Sequence, residues 1–221
     1  MDSYTLLLYA HLLLFVFWLG TDVGVFALAL ALKRRTYSYE QRALMMRMSL
    51  TIDMAPRMAM ITISPVGLHL ADRAGLVQIP GALFVLIWGL AIMWMAGEWT
   101  AFRRMGRPDA VRVYIINGIF MAIFCLSLVG LGISSVTSGW PIVFPWLALK
   151  VLLAGLVFLV SIMMAVFYAP LEGIFERMAA EGSSDALEAE IRSQVNKGAI
   201  FTVILFLLLA TIAFLGLAKP G

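Results

Sequence analysis

Charge is scarce in this 221-residue chain: Asp, Glu, Lys and Arg make up 13% of it, about half of what a soluble domain carries. A single cysteine, Cys125, excludes an intrachain disulfide framework and a four-cysteine metal site. Only two histidines are present, His11 and His69. The net charge is +3 and the basic residues cluster between apolar runs. That pattern fits membrane orientation and not nucleic-acid binding. A Gly-rich phosphate loop, a nucleophile elbow and a zinc-type Cys/His spacing are absent. So are internal repeats and low-complexity segments. No removable signal peptide is evident, because the first apolar run is too long and lacks a basic region before it.

What the chain has in abundance is apolar surface, 62% of its residues. A spanning helix needs roughly 20 apolar residues. Tyr4 to Leu32 contains one charge, Asp22. Ala74 to Gly97 and Val113 to Leu149 contain none, and the latter is too long for one span. Thr137-Ser138-Gly139-Trp140-Pro141 breaks it with turn-forming residues. The expectation is an all-α integral membrane bundle of six helices at about 4–32, 54–72, 76–99, 113–136, 144–169 and 198–218, a single domain over 1–221. Twelve basic residues fall in alternate loops: Lys33, Arg34, Arg35, Arg42, Arg47, Arg103, Arg104, Arg107, Arg112, Arg177, Arg192 and Lys197. The positive-inside rule puts those loops in the cytoplasm and both termini outside, as in a multi-pass protein of a bacterial inner membrane. Between the last two spans, Ser184 or Asp185 is placed to cap a short amphipathic helix carrying Leu187 and Ile191.

Ionisable side chains inside hydrocarbon are costly and mark functional sites. At a rise of about 1.5 Å per residue, His11 lies about 10 Å, His69 about 5 Å and Lys150 about 8 Å below the outer surface. Three unusual polar side chains thus share one outer layer. On the first helix His11, Trp18 and Asp22 fall within about 20° of one line, so this stripe faces the bundle interior. Pro65 and Gly67, just before His69, permit a bend or the close approach of a flat ligand. Plainer roles compete. A membrane histidine can simply hydrogen-bond a neighbouring helix, Lys150 can snorkel to the headgroups, and Trp18 can be core. Asp22, near mid-bilayer, has to be protonated, paired or wetted. Arg57 is its best partner by depth, and Asp53 competes for Arg57 at i, i+4 spacing.

His11-Leu-Leu-Leu-Phe-Val-Phe-Trp18-Leu-Gly20 reads as H-x6-W-x-G. It resembles the first helix of the family that joins HemJ-type protoporphyrinogen oxidases and the membrane domain of copper resistance protein D. Pro145-Trp146-Leu-Ala-Leu-Lys150 resembles a later helix of that family, where a lysine follows a Pro-Trp-like entry. The resemblance covers two of the six expected helices. It implies a haem b-binding bundle with His11 and Lys150 at the family's important positions. Its HemJ members are typically four-helix, so haem binding carries over better than porphyrinogen oxidation.

The leading expectation is a haem b membrane oxidoreductase or electron carrier. His11 and His69 are the iron ligands, Trp18 and Lys150 contact the cofactor, and Lys150 and Asp22 are the candidate catalytic groups. Partners are the lipid bilayer and a redox partner or a quinone- or porphyrin-like substrate, with a homo-oligomer compatible and nucleic acid excluded. A copper or small-solute transporter is the second expectation, and a structural subunit of a respiratory complex the third. Thioether sulfur suits Cu(I), and there are 14 methionines. Apart from Met1, all are expected in the cytoplasmic half or its loops, away from His11 and His69, which disfavours a mixed His/Met site.

Overall fold

The computed structural model describes residues 2–107 and 109–220; of the expected 1–221 domain, Met1, Pro108 and Gly221 lie outside the described residues. Among the described residues there are eight helices and no strand: α1 (Ser3–Leu32), α2 (Tyr39–Ile52), α3 (Met54–Arg73), α4 (Gly81–Arg103), α5 (Ala110–Ser138), α6 (Pro145–Tyr168), α7 (Pro170–Glu181) and α8 (Asp185–Ala218). Five stretches are long and apolar enough to cross a membrane: α1, α4, α5, α6 with its continuation into α7, and α8. The chain is a multi-pass, all-α membrane protein. The sixth expected span is α3, 20 residues long. Its membership of the bundle comes from packing. Contacts run from α1 to α3, α3 to α4, α4 to α5, α5 to α6, α6 to α8 and α8 back to α1, closing a ring.

All six helices of the ring feed one core. Trp18 comes from α1, Ala59, Met60 and Ile61 from α3, Ala91 and Trp94 from α4, Cys125 from α5, Val157 and Phe158 from α6, and Leu205 and Leu209 from α8. Trp94 sits against Phe120, Phe124 and Phe158. The outer faces carry Val85, Ile115, Ile116, Ile123 and Leu126, all exposed; such a girdle is what lipid tails solvate.

A second core closes the basic end. Leu171, Ile174, Phe175 and Met178 line one face of α7 at i, i+3, i+4, i+7 spacing and meet Leu32, Leu187, Ile191 and Val195. Two features here differ from expectation. The stretch 39–52, read as loop, is helical, started by a capping box between Ser38 and Gln41; the S-x-x-Q signature was legible. The short helix at Leu187 and Ile191 is not separate: Ser184 caps it, and it runs unbroken into the last span as a 34-residue helix. No proline interrupts that stretch, and Gly198 is used for the close approach of the Tyr168 ring. At the other end, α4 starts at Gly81 and not at 76, because Pro80 as N-cap holds the preceding chain extended. Asp72 accepts from the Ile79 N–H at 3.0 Å and ties this loop down. The break near Thr137 to Pro141 is present, with Gly139 at φ +68 terminating α5.

Orientation is testable on this fold. Ala74 and Thr36 are both exposed, in loops at opposite ends of the bundle, and the native Cys125 is buried. Thr36 is a better reporter than Ser38, which caps α2. In right-side-out vesicles, an impermeant maleimide is expected to label Ala74→Cys and spare Thr36→Cys. The reverse pattern inverts the topology.

Candidate functional site

The α1 stripe faces inward as expected: Trp18 and Asp22 are both buried, with Asp22 7% exposed. His11 packs onto Gly67 of α3, where a side chain at Gly67 would begin 2.8 Å from His11 Cε1. Glycine is required there for the imidazole to lie against the α3 backbone. His11 Nδ1 is buried with no hydrogen-bond partner. An orphaned buried acceptor or donor costs about 1–3 kcal/mol, so this nitrogen is available to a ligand at no loss of an existing bond.

Lys150 of α6 lies within electrostatic reach of His11. Its ammonium is pressed on Gly216 of α8, where a Cβ would begin 2.7 Å from Nζ. Lys219, just past the end of α8, acts on Lys150 and sits 6.0 Å from the centre of the Trp146 ring. The Pro145-Trp146 entry therefore works as a unit. Pro145 starts α6, Trp146 is buried, and the Lys219 amine lies over its ring at one end of the bundle.

His69 goes elsewhere. Its ring stacks on Phe84 of α4, centroids 3.8 Å apart and planes 13° apart, with Trp88 at 6.3 Å. Gly67 and His69 are two residues apart, about 200° around a helix. The α3 helix thus stands between the imidazoles: His11 lies on the side facing α1, His69 on the side facing α4. The expected meeting of the two rings is not what the fold builds. Trp18, expected as a cofactor contact, is enclosed in the main core below His11.

At the basic end lies a second polar layer. Arg57 donates to Asp53 at 2.6 Å and to Glu98 at 3.2 Å. The expected Asp22–Arg57 pair is thus replaced by an i, i+4 pair and by a carboxylate from α4. Sequence reasoning missed Glu98, although its spacing from Trp94 was a signal: the Trp94 indole N–H donates to Glu98 at 3.3 Å. Asn117 of α5 presses on Gly97 next to it, with Nδ2 buried and unpartnered.

For the expected haem, the residues present offer an iron ligand from one histidine only. His11 offers an unpartnered imidazole nitrogen, and Lys150 and Lys219 offer positive charge of the kind that carboxylates pair with. Two-histidine ligation of one iron does not fit, because α3 separates the rings. Among the described residues, no group of three or more His, Cys, Asp or Glu gathers to hold a metal ion. Two surface cavities, of about 510 and 340 Å³, are lined by basic-end residues such as Arg35, Tyr39 and Asn196 and include neither histidine. No family model, curated protein or solved structure matches this chain.

Proposed function

We propose that the protein is a haem b-binding membrane oxidoreductase or electron carrier with a single protein ligand to iron, His11. The observation that carries this reading is the buried, unpartnered imidazole nitrogen of His11, with the Lys150 charge reaching it across the bundle. The fold brings the imidazole of α1 and the amine of α6 within electrostatic reach of each other, in the two motifs on which the family resemblance rests. When bound, haem b supplies one-electron redox chemistry. His11 holds the iron through an imidazole nitrogen. Lys150 and Lys219 would supply the positive charge to pair with the haem carboxylates. With His11 as the one protein ligand, chemistry on a bound substrate would be favoured over pure electron transfer. The reading extends to a bacterial inner-membrane location and a quinone- or porphyrin-like substrate; neither follows from the fold.

The test is a visible spectrum of protein purified from haem-replete cells. A Soret band is expected in the wild type and in His69→Ala, and its loss in His11→Ala. Lys150→Ala is expected to lower haem occupancy, with Lys150→Arg restoring it in part, since arginine keeps the charge but not the compact ammonium. A colourless wild type sinks the haem reading. Equal loss in His11→Ala and His69→Ala restores two-histidine ligation.

A further inference from the structure

The inner polar layer has a charge count that does not close. Asp22, Asp53 and Glu98 are three carboxyls gathered around one guanidinium, Arg57. Arg57 binds two of them directly, Asp53 and Glu98. Asp22 is left over. It is more than nine-tenths buried; among the described residues it has no ion pair and no hydrogen bond from another side chain within normal geometry. The charges of Asp53 and Arg57 both reach it, but neither forms an ion pair with it.

Beyond the Trp18 indole, one turn before it on α1, the surroundings of Asp22 offer no further charge to compensate it. Of the helices in contact with α1, α2 contributes Asp53 at its C-cap and α3 contributes Arg57. Helix α8 packs Phe206 against Phe26 and has no charged residue between Lys197 and Lys219. A naked carboxylate in such a place is costly, and Arg57 has no free charge left to offset it. The lowest-energy resting place for a proton is the carboxyl without an ion pair.

We propose that Asp22 is the proton-carrying carboxyl of an intramembrane proton-binding site, completed by Arg57 and Glu98 at the basic end of the bundle. The step is reversible and balanced: a proton leaves water on the side of the basic loops, an O–H bond forms on the Asp22 carboxylate, and no electron moves. Arg57 and Glu98 make the step reversible. Their paired charges hold Asp22 in a polar setting in which both protonation states exist. Proton binding here stands independently of the haem reading, because the two layers lie at opposite ends of the α1 stripe.

Protonated carboxyls in apolar surroundings react with dicyclohexylcarbodiimide. The full-length protein in native membranes is treated over a range of pH and mapped by peptide mass spectrometry, with the protonated-carboxyl infrared band recorded in parallel. The expected result is label on Asp22 that declines as pH rises, together with an infrared band that disappears in Asp22→Asn. Label on Asp22 is expected to survive Glu98→Gln. Label confined to Asp53 or Glu98, or an infrared band unchanged in Asp22→Asn, overturns the proposal. So does the absence of both label and band for Asp22. None of these outcomes depends on whether the protein is coloured.

Discussion

Arg42→Ala is expected to destabilise the protein by about 3–5 kcal/mol, the usual cost of stranding one member of a buried ion pair. Arg42 and Glu188 are 3% and 4% exposed and meet through two parallel bonds of 2.9 and 2.8 Å. The rest of the site is tuned to the same two charges. Arg42 also reaches the Leu32 carbonyl at 3.4 Å, which caps the end of α1, and the Met178 sulfur at 3.5 Å. The Ser183 hydroxyl donates to Glu188 at 2.7 Å. Removing the guanidinium leaves a carboxylate inside the second core with the Ser183 hydroxyl and the half-exposed Arg35 guanidinium, 3.9 Å away, as its remaining partners. The double change Arg42→Ala with Glu188→Ala is expected to cost less than Arg42→Ala alone, since it removes the stranded charge. Arg35 provides the contrast. It pairs with Asp185 at 2.7 Å and stands 3.9 Å from Glu188, but its side chain is 51% exposed and that of Asp185 93%, and surface pairs contribute little. Thermal unfolding in detergent is the measurement. Equal losses in Arg42→Ala and Arg35→Ala remove burial as the source of the effect.

Gly132→Val is expected to cost about 3 kcal/mol or more, the upper end of what overpacking a tight core costs. A Cβ at Gly132 would begin 2.5 Å from the Leu152 Cα and 2.6 Å from its N. These are backbone atoms, so no rotamer change relieves the clash, and α5 and α6 have to separate. Gly155 plays the reciprocal part on α6: its Cβ would begin 2.8 Å from the Val129 N. The contact also carries the Cys125 thiol, which donates to the Gly155 carbonyl at 3.3 Å. Small residues at facing positions let membrane helices approach closely, and that approach is the source of packing energy where the hydrophobic effect between helices is weak. Gly118 lies on the same helix with nothing within 4 Å of its Cβ position, so Gly118→Val is expected to change the unfolding temperature little. If the two variants melt alike, the α5–α6 contact does not carry the stability assigned to it.

Much of the fold was legible in the chain because the bilayer is a strict solvent. Apolar length fixed the helices, and Gly139, Pro145 and the caps fixed several ends. The α3 boundaries, expected at 54 and 72, fall at Met54–Arg73. The buried stripe of Trp18 and Asp22 followed from 3.6-residue periodicity alone. The basic-end core is different. Its two short helices carry the S-x-x-Q box and the i, i+3, i+4, i+7 pattern, but mixed polarity hid them beside the long apolar runs. What the sequence determined is therefore local: where the apolar spans lie, which face is polar, and which ionisable groups sit at which depth. Tertiary structure decided who meets whom. Depth placed His11, His69 and Lys150 in one layer, yet depth is a single coordinate, and rotation about α3 sends His69 to Phe84 while His11 meets Gly67. Depth likewise paired Asp22 with Arg57, and the ring closure of α3 on α4 gave that guanidinium to Glu98 instead. Those partners come from helices remote in sequence, and only the packed ring sets the angles at which they face one another.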